Sequence, residues 1–268
     1  MTIEGVAGLR ACVDDVLTML EGLPESAWRE PTGCEGWTVH DVVAHMGAIF
    51  HGIVDPAEMM AAEPGETTEQ ANERPVAIRR AWTSAEVLEE YRTNAPGALA
   101  ALEMMNGPDL AQVPFTLGDL GTYPMGMVAD ALCFDHWCHL HVDMATPAGP
   151  IDASALPAAD DLQLSPTVSW MLAGLPQMCP QVVPVLIRPV RLVLEGPGGR
   201  TVDLLPADGS GLVGVEAADA GREVAAVVIS PTTAFVAWAT QRRGWRGQVT
   251  VEGDVDHAAA VLDAINVI

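Results

Sequence analysis

The sequence predicts an α+β protein: a four-helix bundle over residues 1–150, then a smaller α+β domain over 151–268. Three observations carry this expectation. Up to residue 143, apolar residues recur at helical spacing in four segments. Residues 145–160 (ATPAGPIDASALPAAD) are rich in Ala, Pro and Asp, as a domain boundary is. Beyond it the hydrophobic period falls to two, with Val190, Leu192 and Leu194 alternating ahead of Gly196-Pro197-Gly198-Gly199.

The elements follow in order. Val6, Leu9, Val13, Val16, Leu17 and Leu20 predict a helix over 4–22, ended by Gly22 and Pro24. A loop holding Trp28, Gly33, Gly36 and Trp37 comes next. Thr38 with Asp41 three residues on is a variant capping box, and it opens a helix over 39–61. The acidic, Pro-containing stretch 62–82 reads as a long connection. Thr83 and Glu86 form a second capping box, for a helix to about residue 105 with Val87, Tyr91, Leu99 and Leu102 on one side. A loop with Pro108, Pro114, Gly118 and Gly121 leads into the fourth helix, 124–143. In the second half a short helix spans 166–177, a hairpin pairs 190–194 with 201–205, and strands are expected at 211–216 and 224–229. Pro231 is sited for the first turn of a helix with Phe235 and Trp238 inward, stopped by Gly244. A strand at 248–252 and a helix at 254–266 complete the second domain.

Composition narrows the function. At 268 residues, 49% hydrophobic and 18% charged, the chain can bury a substantial core. No apolar run approaches the ~20 residues of a membrane span, and the first residues lack a secretory signal pattern, so a cytoplasmic protein is expected. The five Cys (Cys12, Cys34, Cys133, Cys138, Cys179) show no zinc-ribbon or redox spacing, which argues against a disulfide framework. A net charge of −23 argues against nucleic acid and anionic membrane as partners. All 13 basic residues are Arg, which excludes a lysine Schiff base within this chain.

The chemistry concentrates in Phe134-Asp135-His136-Trp137-Cys138-His139-Leu140-His141-Val142-Asp143. Asp135 and His139 stand four apart, which on a helix stacks them one turn apart on one face. Val128, Leu132, Asp135, His139 and Val142 recur at steps of four, three, four and three, so the two polar residues interrupt an apolar stripe. His45 falls between Val42 and Ile49 in the same way. Three potential ligands thus face inward from two helices, where a carboxylate is costly unless compensated. A metal ion would compensate it; a hydrogen-bonded Asp–His couple is the alternative. His40 and His51 point away from the His45 direction and read as surface residues. His136 lies off the ligand direction and reads as a rim position, with orientation of a ligand or acid–base work as the alternative. His141 and Cys138 also lie off the ligand face. Trp28, Trp37 and Trp137 read as packing residues or as a pocket lining.

These residues resemble a known family. Pro31-Thr32-Gly33-Cys34-Glu35-Gly36-Trp37-Thr38-Val39-His40-Asp41-Val42-Val43-Ala44-His45 is similar to the start of the second helix in mycothiol-dependent maleylpyruvate isomerase-like proteins, members of the DinB-like four-helix superfamily. The Asp135-to-His139 stretch resembles that family's acid–His metal motif. The run Gly244-Trp245-Arg246-Gly247-Gln248-Val249-Thr250-Val251-Glu252-Gly253-Asp254 resembles the end of its sterol-carrier-like C-terminal domain. The resemblance implies a zinc site held by His45, Asp135 and His139. It also implies a reaction in which mycothiol adds to a cis enedione-like substrate and the trans product is released, with a C-terminal Arg involved, Arg243 or Arg242. Two departures stand out. The isomerase carries Glu where this chain has Asp135, and Asp143 lies one position later than the family's common pattern.

Three protein ligands leave a tetrahedral zinc one open position, as in catalytic sites. A thiol there would be held as thiolate near neutral pH. The expected function is therefore a thiol-using isomerase or S-transferase acting on a small electrophile, with Arg243 gripping a substrate carboxylate. For Arg242 and Arg243 the competing reading is a basic helix C-terminus that suits the helix dipole. A metal-dependent hydrolase, or a small-molecule binding protein with a structural metal closed by His136 or a Cys, are the alternatives. The protein is expected as a monomer or homodimer.

Overall fold

Val6, Leu9, Val13, Val16 and Leu20 lie on one face of the first helix, α1 (Ile3–Glu21), and all five are buried. The computed structural model describes residues 3–58, 63 and 65–268. These divide into two units at Ala158/Ala159. No helix among the described residues is long and apolar enough to cross a membrane.

In the first unit α2 (Val39–Val54) opens with the expected capping box: Asp41 N–H donates to the Thr38 hydroxyl, and Thr38 N–H donates to the Asp41 carboxylate. It ends earlier than the apolar pattern suggested. Asp55 precedes Pro56, which disfavours helical geometry, and it sits at φ −125°, ψ 86°. Residues 59–61 of the expected helix lie outside the described residues. The connection expected over 62–82 contains a further helix, α3 (Thr68–Arg79), opened by a Thr67–Gln70 capping box. Only Val76 and Arg79 of α3 are buried, so no apolar stripe announces it. Charge holds it instead: Arg79 clamps Glu90 with contacts of 2.5 and 2.6 Å, and Arg80 reaches Asp41 at 2.9 Å.

The second expected capping box, at Thr83 and Glu86, opens α4 (Ser84–Met105), which buries Val87, Tyr91, Leu99 and Leu102. The following loop folds into a small hairpin, β1 (Pro114–Thr116) with β2 (Thr122–Pro124), Phe115 opposite Tyr123. The fourth bundle helix, α5 (Val128–Cys138), runs into a π-helical turn over His139–Asp143. α2 packs chiefly on α4, and α1 on α5 and α4. The backbones of α2 and α5 approach only sparsely, and side chains bridge the seam between them.

In the second unit α6 (Asp161–Met178) starts five residues before the expected position, because Asp160 caps it by accepting from Gln163 N–H. A five-stranded sheet follows in the order β5-β4-β3-β6-β7, made of β3 (Val190–Glu195), β4 (Thr201–Leu205), β5 (Gly214–Ala217), β6 (Ala226–Pro231) and β7 (Thr250–Gly253). β3 and β6 are parallel; the other pairs are antiparallel. Pro231 ends β6 and caps α7 (Thr232–Ala239) rather than lying inside it, and Phe235 and Trp238 are buried as expected. The helix stops at Ala239, well before Gly244, and Gln241 turns the chain at φ 56°. α8 (Val255–Ala264) is the last helix. The whole is α+β, a helical bundle followed by a sheet with three helices.

Candidate metal centre

His45, Asp135 and His139 converge across the α2–α5 seam. His45 Nε2 lies 3.2 Å from Asp135 Oδ1, and His139 Nε2 lies 3.3 Å from the same oxygen. One ligand atom from each of the three falls within 4.8 Å of the others. Both rings are buried, while the Asp135 side chain keeps 20% of its surface exposed.

The electrostatics tie these groups to one another. Burial pushes the Asp135 carboxyl up, but charge on His139 and then His45 outweighs it and holds the group well below the ordinary carboxylate range. Burial pushes the His139 imidazole down, but Asp135 first and Cys34 second outweigh it and hold the ring well above its ordinary value. Asp135 Oδ2 is buried and makes no hydrogen bond, because the His136 Nδ1 that stands 3.4 Å from it donates to Leu132 O. An orphaned carboxylate oxygen of this kind costs free energy unless a cation neutralises the group.

The donor set fits zinc. Around a tetrahedral ion with bonds of about 2.0–2.1 Å, neighbouring N and O ligands stand about 3.3 Å apart. Among the described residues no fourth His, Cys, Asp or Glu joins this group, so the structure shows no protein ligand closing the site.

Several neighbours differ from their expected roles. His136 is no rim residue: it is fully buried, its Nδ1 donates to Leu132 O at 2.9 Å, and its ring stacks on Phe50 at 4.9 Å. Its Nδ1 also lies 3.4 Å from Asp135 Oδ2, so the ring backs the cluster from the interior of the bundle rather than from its rim. His141 stacks on Trp137 at 4.6 Å, and burial lowers its pKa to about 4. Cys138 is buried off the cluster. His40 and His51 are half-buried rather than surface residues, bonded to Trp82 O and Glu90 respectively. Trp37 flanks the site, its ring 5.2 Å from that of His45.

Asp143 escaped the spacing argument as a site residue. It is wholly buried, and its Oδ2 lies 2.9 Å from His139 Nδ1. The π-helical turn accounts for its register, because such a turn takes up one extra residue. Its separation of four from His139, the same as that from Asp135 to His139, was the available signal. Cys34 Sγ also approaches that nitrogen, at 3.6 Å.

Arg242 and Arg243 lie in the second unit, in the loop after α7 rather than on its last turn, so the helix-dipole reading does not apply. The Arg243 guanidinium is exposed and pairs with no carboxylate among the described residues.

The family described as the mycothiol maleylpyruvate isomerase N-terminal domain matches residues 9–145, a span that includes His45, Asp135 and His139. The chain belongs to that family. Two solved structures are similar, one of a mycothiol-dependent maleylpyruvate isomerase and one of a histidine-to-alanine mutant of such an enzyme. They are 17% and 16% identical, with TM-scores of 0.56 and 0.55, over 94% of this chain and 93% of theirs. That likeness spans both units and establishes a shared fold. No curated protein matches the chain.

Proposed function

We propose that this member of the maleylpyruvate isomerase family is a metal-dependent, thiol-using enzyme whose N-terminal bundle carries the centre and whose C-terminal unit is the sterol-carrier-like domain. His45 Nε2, Asp135 Oδ1 and His139 Nε2 would hold a divalent cation, zinc by the chemistry of the donors. The carrying observation is the convergence of two imidazole nitrogens on one carboxylate oxygen, at 3.2 and 3.3 Å, close to tetrahedral ligand spacing.

When bound, such an ion supplies a Lewis acid that keeps an incoming thiol deprotonated near neutral pH. The residues of the chain do the rest. Asp135 contributes the anionic ligand, and its partial exposure marks the side from which a thiol such as mycothiol would arrive. Trp37 shields the buried flank of His45. A thiolate held beside these residues would add to an activated double bond, the π pair passing to the conjugated carbonyl oxygen; rotation and expulsion of the thiolate would give the trans isomer, and protonation at carbon would instead leave the thioether. Arg243, exposed and without a carboxylate partner among the described residues, would hold a substrate carboxylate in a bidentate grip. The strongly acidic chain suits a cytoplasmic enzyme of small molecules, monomeric or homodimeric, rather than a nucleic-acid binder.

The deciding experiment is metal analysis of the purified protein followed by titration of the zinc-loaded form with mycothiol. One equivalent of zinc, lost in His45→Ala, with thiol binding that requires the metal, supports this function. Zinc that is indifferent to thiols, or no zinc at all, would overturn it.

A further inference from the structure

We propose that Asp143 is the positioning residue of this centre, holding the Nδ1 proton of His139 and so committing the Nε2 lone pair to the cation. The inference rests on the metal reading above. An ionised carboxylate only accepts hydrogen bonds, so the 2.9 Å contact between Asp143 Oδ2 and His139 Nδ1 places the ring proton on Nδ1. In a neutral imidazole the other nitrogen then carries the lone pair. That nitrogen, Nε2, is the one 3.3 Å from Asp135 Oδ1, on the side where His45 Nε2 also converges.

The fold fixes Asp143 from two directions. Its own turn is π-helical, closed by Met144 N–H donating to His139 O at 2.8 Å, which keeps the carboxylate beside the ring one turn on. On the other side the loop before α2 presses against it. Gly33 N–H donates to Asp143 O at 2.9 Å, and a side chain at 33 would put its Cβ 2.8 Å from Asp143 Oδ1 and 3.1 Å from its Cα. Glycine at 33 is therefore what lets the loop seat the acid.

The same arrangement excludes a second ion. Cys34, His139 and Asp143 gather three donors that resemble a metal site, but Nδ1 has no lone pair to give while it carries the proton that Asp143 accepts. The centre should bind one ion, on the Nε2 side.

Zinc affinity by chelator competition tests this, on the wild type and on Asp143→Ala, Asp143→Asn and Gly33→Ala, with melting of each metal-free protein alongside. Removing such an orienting carboxylate typically weakens metal binding about 10- to 100-fold. Asp143→Ala should show that loss, and Asp143→Asn, which keeps an acceptor oxygen, should recover part of it. Gly33→Ala should weaken zinc although it removes no charged group. A purely structural role would lower the melting temperature and leave the affinity of the folded protein unchanged. Wild-type affinity in folded Asp143→Ala and Gly33→Ala, or a second equivalent of zinc lost on Cys34→Ser, would overturn the proposal while leaving the metal centre standing. A wild type that binds no zinc would overturn both.

Discussion

His45 Nε2 and Asp135 Oδ1 meet at 3.2 Å although 90 residues separate them in the chain, and this contact spans the seam between α2 and α5. A carboxylate flanked by two imidazoles is a ligand set whose charge matters as much as its shape. Asp135→Asn keeps the shape and removes the charge, so zinc binding should weaken sharply while the fold persists. Asp135→Ala should lose the metal altogether, leaving two neutral ligands. Metal content after gel filtration measures both, and unchanged content in Asp135→Ala would remove this residue from the site.

Metal removal should not unfold the bundle. Leu9, Phe50, Tyr91 and Leu102 are fully buried in the bundle and supply no ligand atom, so their packing does not depend on the ion. This differs from small metal-dependent domains that unfold without their ion. Ligand linkage sets the size of the effect: zinc at a thousandfold excess over its dissociation constant stabilises by about 4 kcal/mol. Chelation should therefore lower the melting temperature and leave the far-ultraviolet circular dichroism at low temperature unchanged. Loss of helical signal on chelation would show the ion to be part of the folding core.

A second charged contact makes stability depend on pH. Burial pushes Glu90 up, but the hydrogen bonds from Arg79 and then His51 outweigh it and hold its carboxyl below the ordinary value of 4.5. With the folded value below the unfolded one, the contribution is complete above about pH 4.5 and is lost as pH falls through the folded value. Unfolding free energy from urea melts should drop on that acid side, and Glu90→Gln should flatten the drop. Arg79→Ala leaves the buried carboxylate with His51 alone and should cost up to about 3–5 kcal/mol at neutral pH. Indifference of the acid limb to Glu90→Gln would assign it to other carboxylates.

What could be read from the sequence follows from which forces leave a local pattern. The Thr38–Asp41 and Thr83–Glu86 capping boxes involve residues three apart and were legible, as was the alternation of Val190, Leu192 and Leu194. α3 was not, because it is tied to the bundle by Arg79–Glu90 and Arg80–Asp41, pairs whose partners lie on other elements. The convergence of His45, Asp135 and His139 was legible from helical spacing. The burial of His136 was not: with Leu132, Cys133, Phe134, Trp137 and Cys138 all buried around it, one inward face cannot be told from another. Asp143 was hidden by the π-helical turn, which shifts the register that an α-helical count assumes.

Two glycines in one turn of the second unit separate backbone strain from lack of space. Gly196 and Gly198 both have positive φ, 90° and 70°, between β3 and β4. A Cβ on Gly196 would meet nothing within 4 Å, whereas one on Gly198 would lie 2.6 Å from the backbone carbon of Leu164. Leu164 is on α6, whose Asp161 also accepts from Gly198 N–H at 2.7 Å, so the turn and the helix cannot part without losing that bond. Gly196→Ala should cost about 1–2 kcal/mol, the strain of a left-handed residue. Gly198→Ala adds overpacking of about 1–3 kcal/mol against a backbone that cannot yield. Urea unfolding of the two variants gives the difference directly. Equal losses would mean that the helix moves away from the turn at no cost, and that this contact does not fix α6 against the hairpin.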